Sequence, residues 1–199
     1  MTSSFDWFRL AWRTLYWAWI ASEILLVLMT YTRRSGGEVK DQGSMRLLWV
    51  VIFASISLGT WFSATHEAEG AFGLMPGGPH AVRGVALAML AFGLTLRWVA
   101  IYTLGRAFSV NVAIRDGQRV MRAGLFGYMR HPSYTGLLLC IAALGVRSGN
   151  WIGLAIIVAP TTAALLYRIS VEEAALRTAF GEEYVAYSAE TKRLIPGIY

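Results

Sequence analysis

The sequence predicts an all-α integral membrane protein of about five transmembrane helices, and three observations lead there. Hydrophobic residues make up 56% of the 199 residues and charged residues only 15%, where soluble domains carry roughly 25% charged. The apolar residues stand in long blocks rather than in alternating stripes, and several blocks approach the roughly 20 residues that take a helix across a bilayer. The basic residues cluster between these blocks. A net charge of +6 would on its own suit nucleic acid. Lys and Arg that flank membrane spans and meet anionic headgroups explain it better, so no nucleic-acid partner is expected.

The blocks place spans at about 12–32, 47–64, 83–104, 134–147 and 150–170. The first carries Trp12, Tyr16, Trp17 and Trp19 at one end and Tyr31 at the other, the aromatic signature of membrane interfaces. It is long and lacks a small-residue cleavage site after a basic start, so it reads as a retained span. The fourth block is short, and Ser148-Gly149-Asn150 turns directly into the fifth. These two predict a helical hairpin that need not cross fully.

Orientation follows from the basic residues. Arg33, Arg34, Lys40 and Arg46 lie in one connection, and Arg106, Arg115, Arg119, Arg122 and Arg130 in another. The end of the fifth span and the tail add Arg168, Arg177, Lys192 and Arg193, whereas the alternate side has only Arg9, Arg13, Arg83 and Arg147. The excess of the first set places it in the cytoplasm, with the N-terminus outside and the C-terminus inside. The membrane would be the inner or plasma membrane of a bacterium, or the endoplasmic reticulum of a eukaryote. Oligomeric state has no signature here.

Glu23 and Arg97 fall within spans. Each lies eight to ten residues from its cytoplasmic helix end, a depth of roughly 12–15 Å at about 1.5 Å per residue. Pairing, or lining a polar cavity, is one reading; snorkelling of Arg97 toward the interface is the other. The lone Cys140 and the scattered His66, His80 and His131 make neither a disulfide nor a metal cluster. With no internal repeat, the chain reads as a single membrane domain, 1–199, with N-terminal spans over 1–104 and its chemistry over 105–199.

Three stretches of that second half carry information. Asp116-Gly117 between β-prone runs signals a hairpin; a solvated loop is the plain alternative. Gly124 to Gly136 opens the fourth span, where Pro132 suits a first helical turn. The free N–H groups there favour an anion, and Arg130, His131, Ser133 and Tyr134 add donors. Where the chain leaves the fifth span, Arg168 and Glu172 share a helix face, Leu176 and Phe180 continue it, and Gly181 is a helix stop. An ion pair at the surface between Arg168 and Glu172 would be worth little; its place at a span's exit favours a functional role.

Two of these stretches resemble the isoprenylcysteine carboxyl methyltransferase family. One is the Arg130-His131-Pro132-Ser133-Tyr134-x-Gly136 core, and the other is Glu172-Glu173-x-x-Leu176-x-x-x-Phe180-Gly181-x-x-Tyr184-x-x-Tyr187 followed by Arg193-x-Ile195-Pro196. The resemblance covers roughly 100–199. It implies S-adenosyl-L-methionine as cofactor, in a cytosolic pocket built from the hairpin loop, the start of the fourth span and the C-terminal helix. By motif position its contacts would be Gln118, Arg119, Val120, Met121, Phe126, His131, Pro132, Ser133, Tyr134 and Glu172. Arg168 would meet a substrate carboxylate. Phe126 departs from a position where tyrosine is common, so a hydroxyl contact is lost there.

The implied acceptor is a lipophilic small molecule or prenylated carboxylate, entering from membrane lipid. Two other activities share similar motifs. A phospholipid N-methyltransferase would act on an amine, with Glu173 as base. A membrane sterol reductase would bind NADPH. A scaffold without catalysis is the third alternative.

Overall fold

A computed structural model describes residues 7–31, 43–66, 73–105 and 119–199. These residues form six α-helices: α1 (Trp7–Tyr31), α2 (Ser44–Thr65), α3 (Gly78–Leu104), α4 (Pro132–Arg147), α5 (Trp151–Phe180) and α6 (Glu182–Glu190). A 3₁₀ turn, Gly124–Gly127, precedes α4. No β-strand forms among the described residues, only isolated bridges between Leu74 and Asn150 and between Met129 and Lys192. The hairpin expected around Asp116-Gly117 lies outside them, as does Gln118.

The first five helices stand where the five apolar blocks stand. Three of them, α2, α3 and α5, are long and apolar enough to cross a membrane. Their outward faces carry Val50, Phe53, Trp61 and Phe92, all more than half exposed. Exposed apolar faces of this kind suit lipid, where they need no further partner. The chain is an integral membrane protein. α5 has 30 residues, about 45 Å of helix at 1.5 Å per residue, which exceeds the roughly 30 Å hydrocarbon layer. Its last turns, with Glu172, Glu173 and Arg177, therefore extend past the apolar stretch. α4 has 16 residues, about 24 Å, and is the short member of the expected hairpin.

Small residues decide which helices touch. α3 packs on α4 and α2 on α5. A Cβ on Gly136 would lie 2.6 Å from the Gly93 carbonyl and 2.7 Å from the Arg97 backbone nitrogen. A Cβ on Gly59 would lie 2.8 Å from the carbonyl of Gly153. Each pair lets two backbones approach closely, the usual solution where lipid supplies no hydrophobic drive for helix association. Leu90, Cys140, Ile141, Ile157 and Leu165 fill the space around these crossings.

The α4–α5 turn is closed as its sequence suggests. Gly149 takes φ +72°, which costs glycine nothing. The Asn150 side chain accepts from the Ile152 and Gly153 amides at 2.8 and 3.1 Å and so caps α5. Replacing Asn150 by alanine is expected to lower stability by about 1 kcal/mol, read by thermal unfolding in detergent.

Candidate active site

The site forms where the start of α4 meets the projecting end of α5 and the C-terminal tail. Pro132 is the first residue of α4 and His131 its N-cap, so the motif itself is the helix start. The tail holds this start by backbone pairing. The Arg130 amide donates to the Lys192 carbonyl at 2.7 Å, and the His131 amide to the Arg193 carbonyl at 3.0 Å. Gly181, at φ 53°, ends α5 and lets the chain turn back as α6.

Glu173 is the centre of a polar hub and is only 1% exposed. Its Oε1 accepts from Arg130 Nε at 2.9 Å and lies 3.3 Å from His131 Nε2. Its Oε2 accepts from Arg193 Nη2 at 3.0 Å, with Arg177 Nη2 at 3.5 Å. Arg130 Nη1 further donates to the carbonyls of Ser188 (2.8 Å) and Thr191. One carboxylate thus ties α4, α5 and the tail together. The hydrogen bonds that Arg193 donates to Glu173 are the leading cause that holds its guanidinium above its ordinary pKa.

A second cluster sits beside this hub. Tyr134 donates its hydroxyl to Glu172 Oε2 at 2.6 Å, and Arg168 Nε donates to the same hydroxyl at 3.3 Å. Arg168 and Glu172, the expected pair, are 4.0 Å apart, so the tyrosine hydroxyl bridges them. Arg168 is 1% exposed and its Nη1 donates to Ser44 Oγ at 2.8 Å, which brings the first residue of α2 to the site. The side chain of Glu172 is 26% exposed and opens the cluster to the outside. The His131 and Tyr134 rings stack at 5.5 Å between centroids and 13° between planes.

The remaining expected residues divide. Ser133 turns toward α3, where its hydroxyl and carbonyl accept from Arg97. Phe126 is buried, and its carbonyl accepts from Tyr187 at 2.7 Å. Burial pushes the Tyr187 phenol up to about 12, which keeps it a donor. The Val120 amide donates to Glu183 at 3.3 Å, and Arg119 and Met121 flank it, exposed and half-buried. Glu173, given the role of base with an amine acceptor, has both oxygens engaged by arginines. Arg193 stood in the quoted motif without a role; Ser44 had no signal in the sequence at all.

The donor set fits an adenosyl amino acid. Glu172 offers a partly exposed acceptor and the stacked His131 and Tyr134 rings an aromatic surface; the α4 start adds little, because the Arg130, His131, Tyr134 and Thr135 amides are already bonded within the protein. The buried Tyr184 hydroxyl has no hydrogen-bond partner among the described residues. Burial raises its pKa, and the charges of Glu173, Arg130 and Glu172 also act on it, so it is an uncommitted donor beside the same cluster.

Residues 86–178 match the model of the isoprenylcysteine carboxyl methyltransferase (ICMT) family. This part of the chain is similar to that family. The matched region includes Arg97, the α4 motif and both carboxylates of α5. Protein-S-isoprenylcysteine O-methyltransferase B of Arabidopsis thaliana is 31% identical over 117 residues, covering 58% of this chain and 59% of that protein. The Schizosaccharomyces pombe enzyme of the same name is 30% identical over 113 residues, covering 56% of this chain and 48% of the relative. The chain thus spans about half to three fifths of the length of these relatives. A solved structure of the eukaryotic intramembrane Ras methyltransferase ICMT shares the fold, with a TM-score of 0.55 at 24% identity, over 79% of this chain and 53% of that one.

Proposed function

We propose that the chain transfers a methyl group from S-adenosylmethionine to the carboxylate of a lipophilic, prenylcysteine-like acceptor. The observation that carries this reading is the meeting of the two ICMT motifs at one hydroxyl: Tyr134 from α4 bonds Glu172 and Arg168 from α5. The names of the relatives, all isoprenylcysteine O-methyltransferases, support the acceptor class. The orientation with this site in the cytosol, and membrane crossing by all of α1–α5, belong to the same proposal.

When bound, the cofactor supplies an electrophilic methyl on a sulfonium. The acceptor carboxylate is already ionised at neutral pH, so no general base is required. Arg168 would pair with one carboxylate oxygen and aim the other. Tyr134 and Ser44 hold the guanidinium in place, and Glu172 with the stacked rings faces the cofactor. Glu173 acts through others: it fixes Arg130, His131 and Arg193. The contribution of such a site is alignment in a water-poor setting. Transfer of that methyl to the carboxylate would leave a neutral thioether and an ester.

The test is binding of S-adenosylhomocysteine to the purified chain, with NADPH as comparison, followed by methyl transfer to a farnesylated N-acetylcysteine. Saturable binding lost in His131→Ala and Glu172→Ala is expected. Arg168→Ala should keep that binding and lose about 10–150-fold in kcat/KM for the acceptor, the value of one charge-assisted hydrogen bond. Binding of NADPH in place of the adenosyl ligand would overturn the proposal.

A further inference from the structure

Two buried ionisable side chains take no part in the cluster just described. Glu23 on α1 and Arg97 on α3 are 6% and 5% exposed. They pair through both prongs: Arg97 Nε donates to Glu23 Oε1 at 2.6 Å and Nη2 to Oε2 at 2.7 Å. Trp19 Nε1 adds a hydrogen bond to Oε1 at 3.1 Å. The third guanidinium nitrogen points the other way, to α4, where Nη1 donates to the carbonyl of Ser133 at 3.1 Å and to its hydroxyl at 2.9 Å.

Packing alone does not call for this arrangement. A buried ion pair adds little over apolar residues of similar volume, and ionisable groups within spans are functional by default. The guanidinium is planar, so fixing two of its nitrogens on Glu23 fixes the direction of the third. That third nitrogen ends on the first turn of α4, between Pro132 and Tyr134. Glycines make the same helices cross in close contact one turn further on, at Gly93 and Gly136. A crossing point alone permits rotation about itself. A second fixed point near the helix start removes that freedom.

We infer that the Glu23–Arg97 pair is a positioning device for the cofactor-binding end of α4. Glu23 orients Arg97, and Arg97 sets the rotation and depth of the turn that presents His131 and Tyr134. This inference rests on the proposed function for the identity of the ligand. The placement of the turn does not depend on it.

The experiment compares the full chain in lipid nanodiscs with Arg97→Lys and Glu23→Gln. The lysine keeps a charge for Glu23 and loses the fork that reaches Ser133. Glutamine leaves Arg97 without a charged partner. Amide hydrogen exchange is read at Tyr134 and Thr135, whose N–H groups bond to the His131 carbonyl. Binding of S-adenosylhomocysteine is read in parallel. Ile157→Ala, between α2 and α5, controls for general loss of stability.

Both variants are expected to purify folded, to exchange faster at that turn, and to bind S-adenosylhomocysteine about 10–100-fold more weakly. Ile157→Ala should lower the unfolding temperature and leave binding unchanged. Unchanged exchange in both variants overturns the inference. So does faster exchange with unmoved affinity, an equal affinity loss in Ile157→Ala, or failure of both variants to fold. Absence of binding by the unaltered chain defeats the proposed function and the ligand half of the inference. The exchange result then still decides whether the pair sets the turn.

Discussion

Replacing Glu173 by alanine is expected to lower the unfolding free energy by about 3–5 kcal/mol, the cost of removing one partner from a buried ion cluster. The carboxylate accepts from Arg130 and Arg193, contacts His131 and pairs with Arg177. Its loss leaves these cations facing one another around an empty centre. Two anchors of the α4 start then fail together: the direct contacts of Arg130 and His131, and the hold of Arg193 on the tail. S-adenosylhomocysteine binding should disappear with the loss of stability. A residue that served only as a base would behave differently, with normal unfolding and binding and a defect confined to turnover. Thermal unfolding and ligand binding measured on one Glu173→Ala preparation separate the two roles.

The second large effect concerns the α3–α4 crossing. Gly136→Ala places a methyl group 2.6 Å from the Gly93 carbonyl and 2.7 Å from the Arg97 nitrogen. These are backbone atoms, which cannot rotate away, so the helices must separate. Overpacking of this kind costs about 1–3 kcal/mol or more, and here it also lengthens the reach from Arg97 to Ser133. Gly84→Ala on the same α3 is the contrast. A Cβ there meets nothing within 4 Å, and exchanging a mid-helix glycine for alanine gains up to about 1 kcal/mol in propensity. One glycine change should therefore lower the unfolding temperature while the other leaves it equal or higher.

The helices were legible because membrane spans declare themselves locally. Blocks at 47–64 and 83–104 fall inside α2 and α3, and Ser148-Gly149-Asn150 is the expected turn. Pairing of Glu23 with Arg97 was one of two readings, drawn from equal depth alone, and the structure shows the pair with both prongs made. The third contact, to Ser133, was beyond reach: 36 residues separate it from Arg97, and no periodicity links the two. The same limit explains Glu173. From its neighbours it was a carboxylate near a span's end. Only the fold brings Arg193 and Arg130 to it. Ser44 illustrates the extreme case, a serine in an unremarkable stretch that reaches Arg168 because α2 packs along α5. The resemblance named Tyr134 and Glu172 together, and the geometry adds that one hydroxyl joins them to Arg168.

The pairing of residues 130 and 131 with residues 192 and 193 has a consequence for how the chain is made. Chains emerge N-terminal end first, at about 5–20 residues per second. The backbone groups that secure the start of α4 come from positions some sixty residues later, so they follow it by roughly 3–12 s. α3 and α4 can cross in that interval, since Gly93, Arg97, Ser133 and Gly136 are all present early. The hub around Glu173 cannot close until Arg193 arrives. Insertion and closure of this cluster are therefore separate events in the life of each molecule: the membrane scaffold comes first, and the start of α4 is tied down only once residues 192 and 193 have been made.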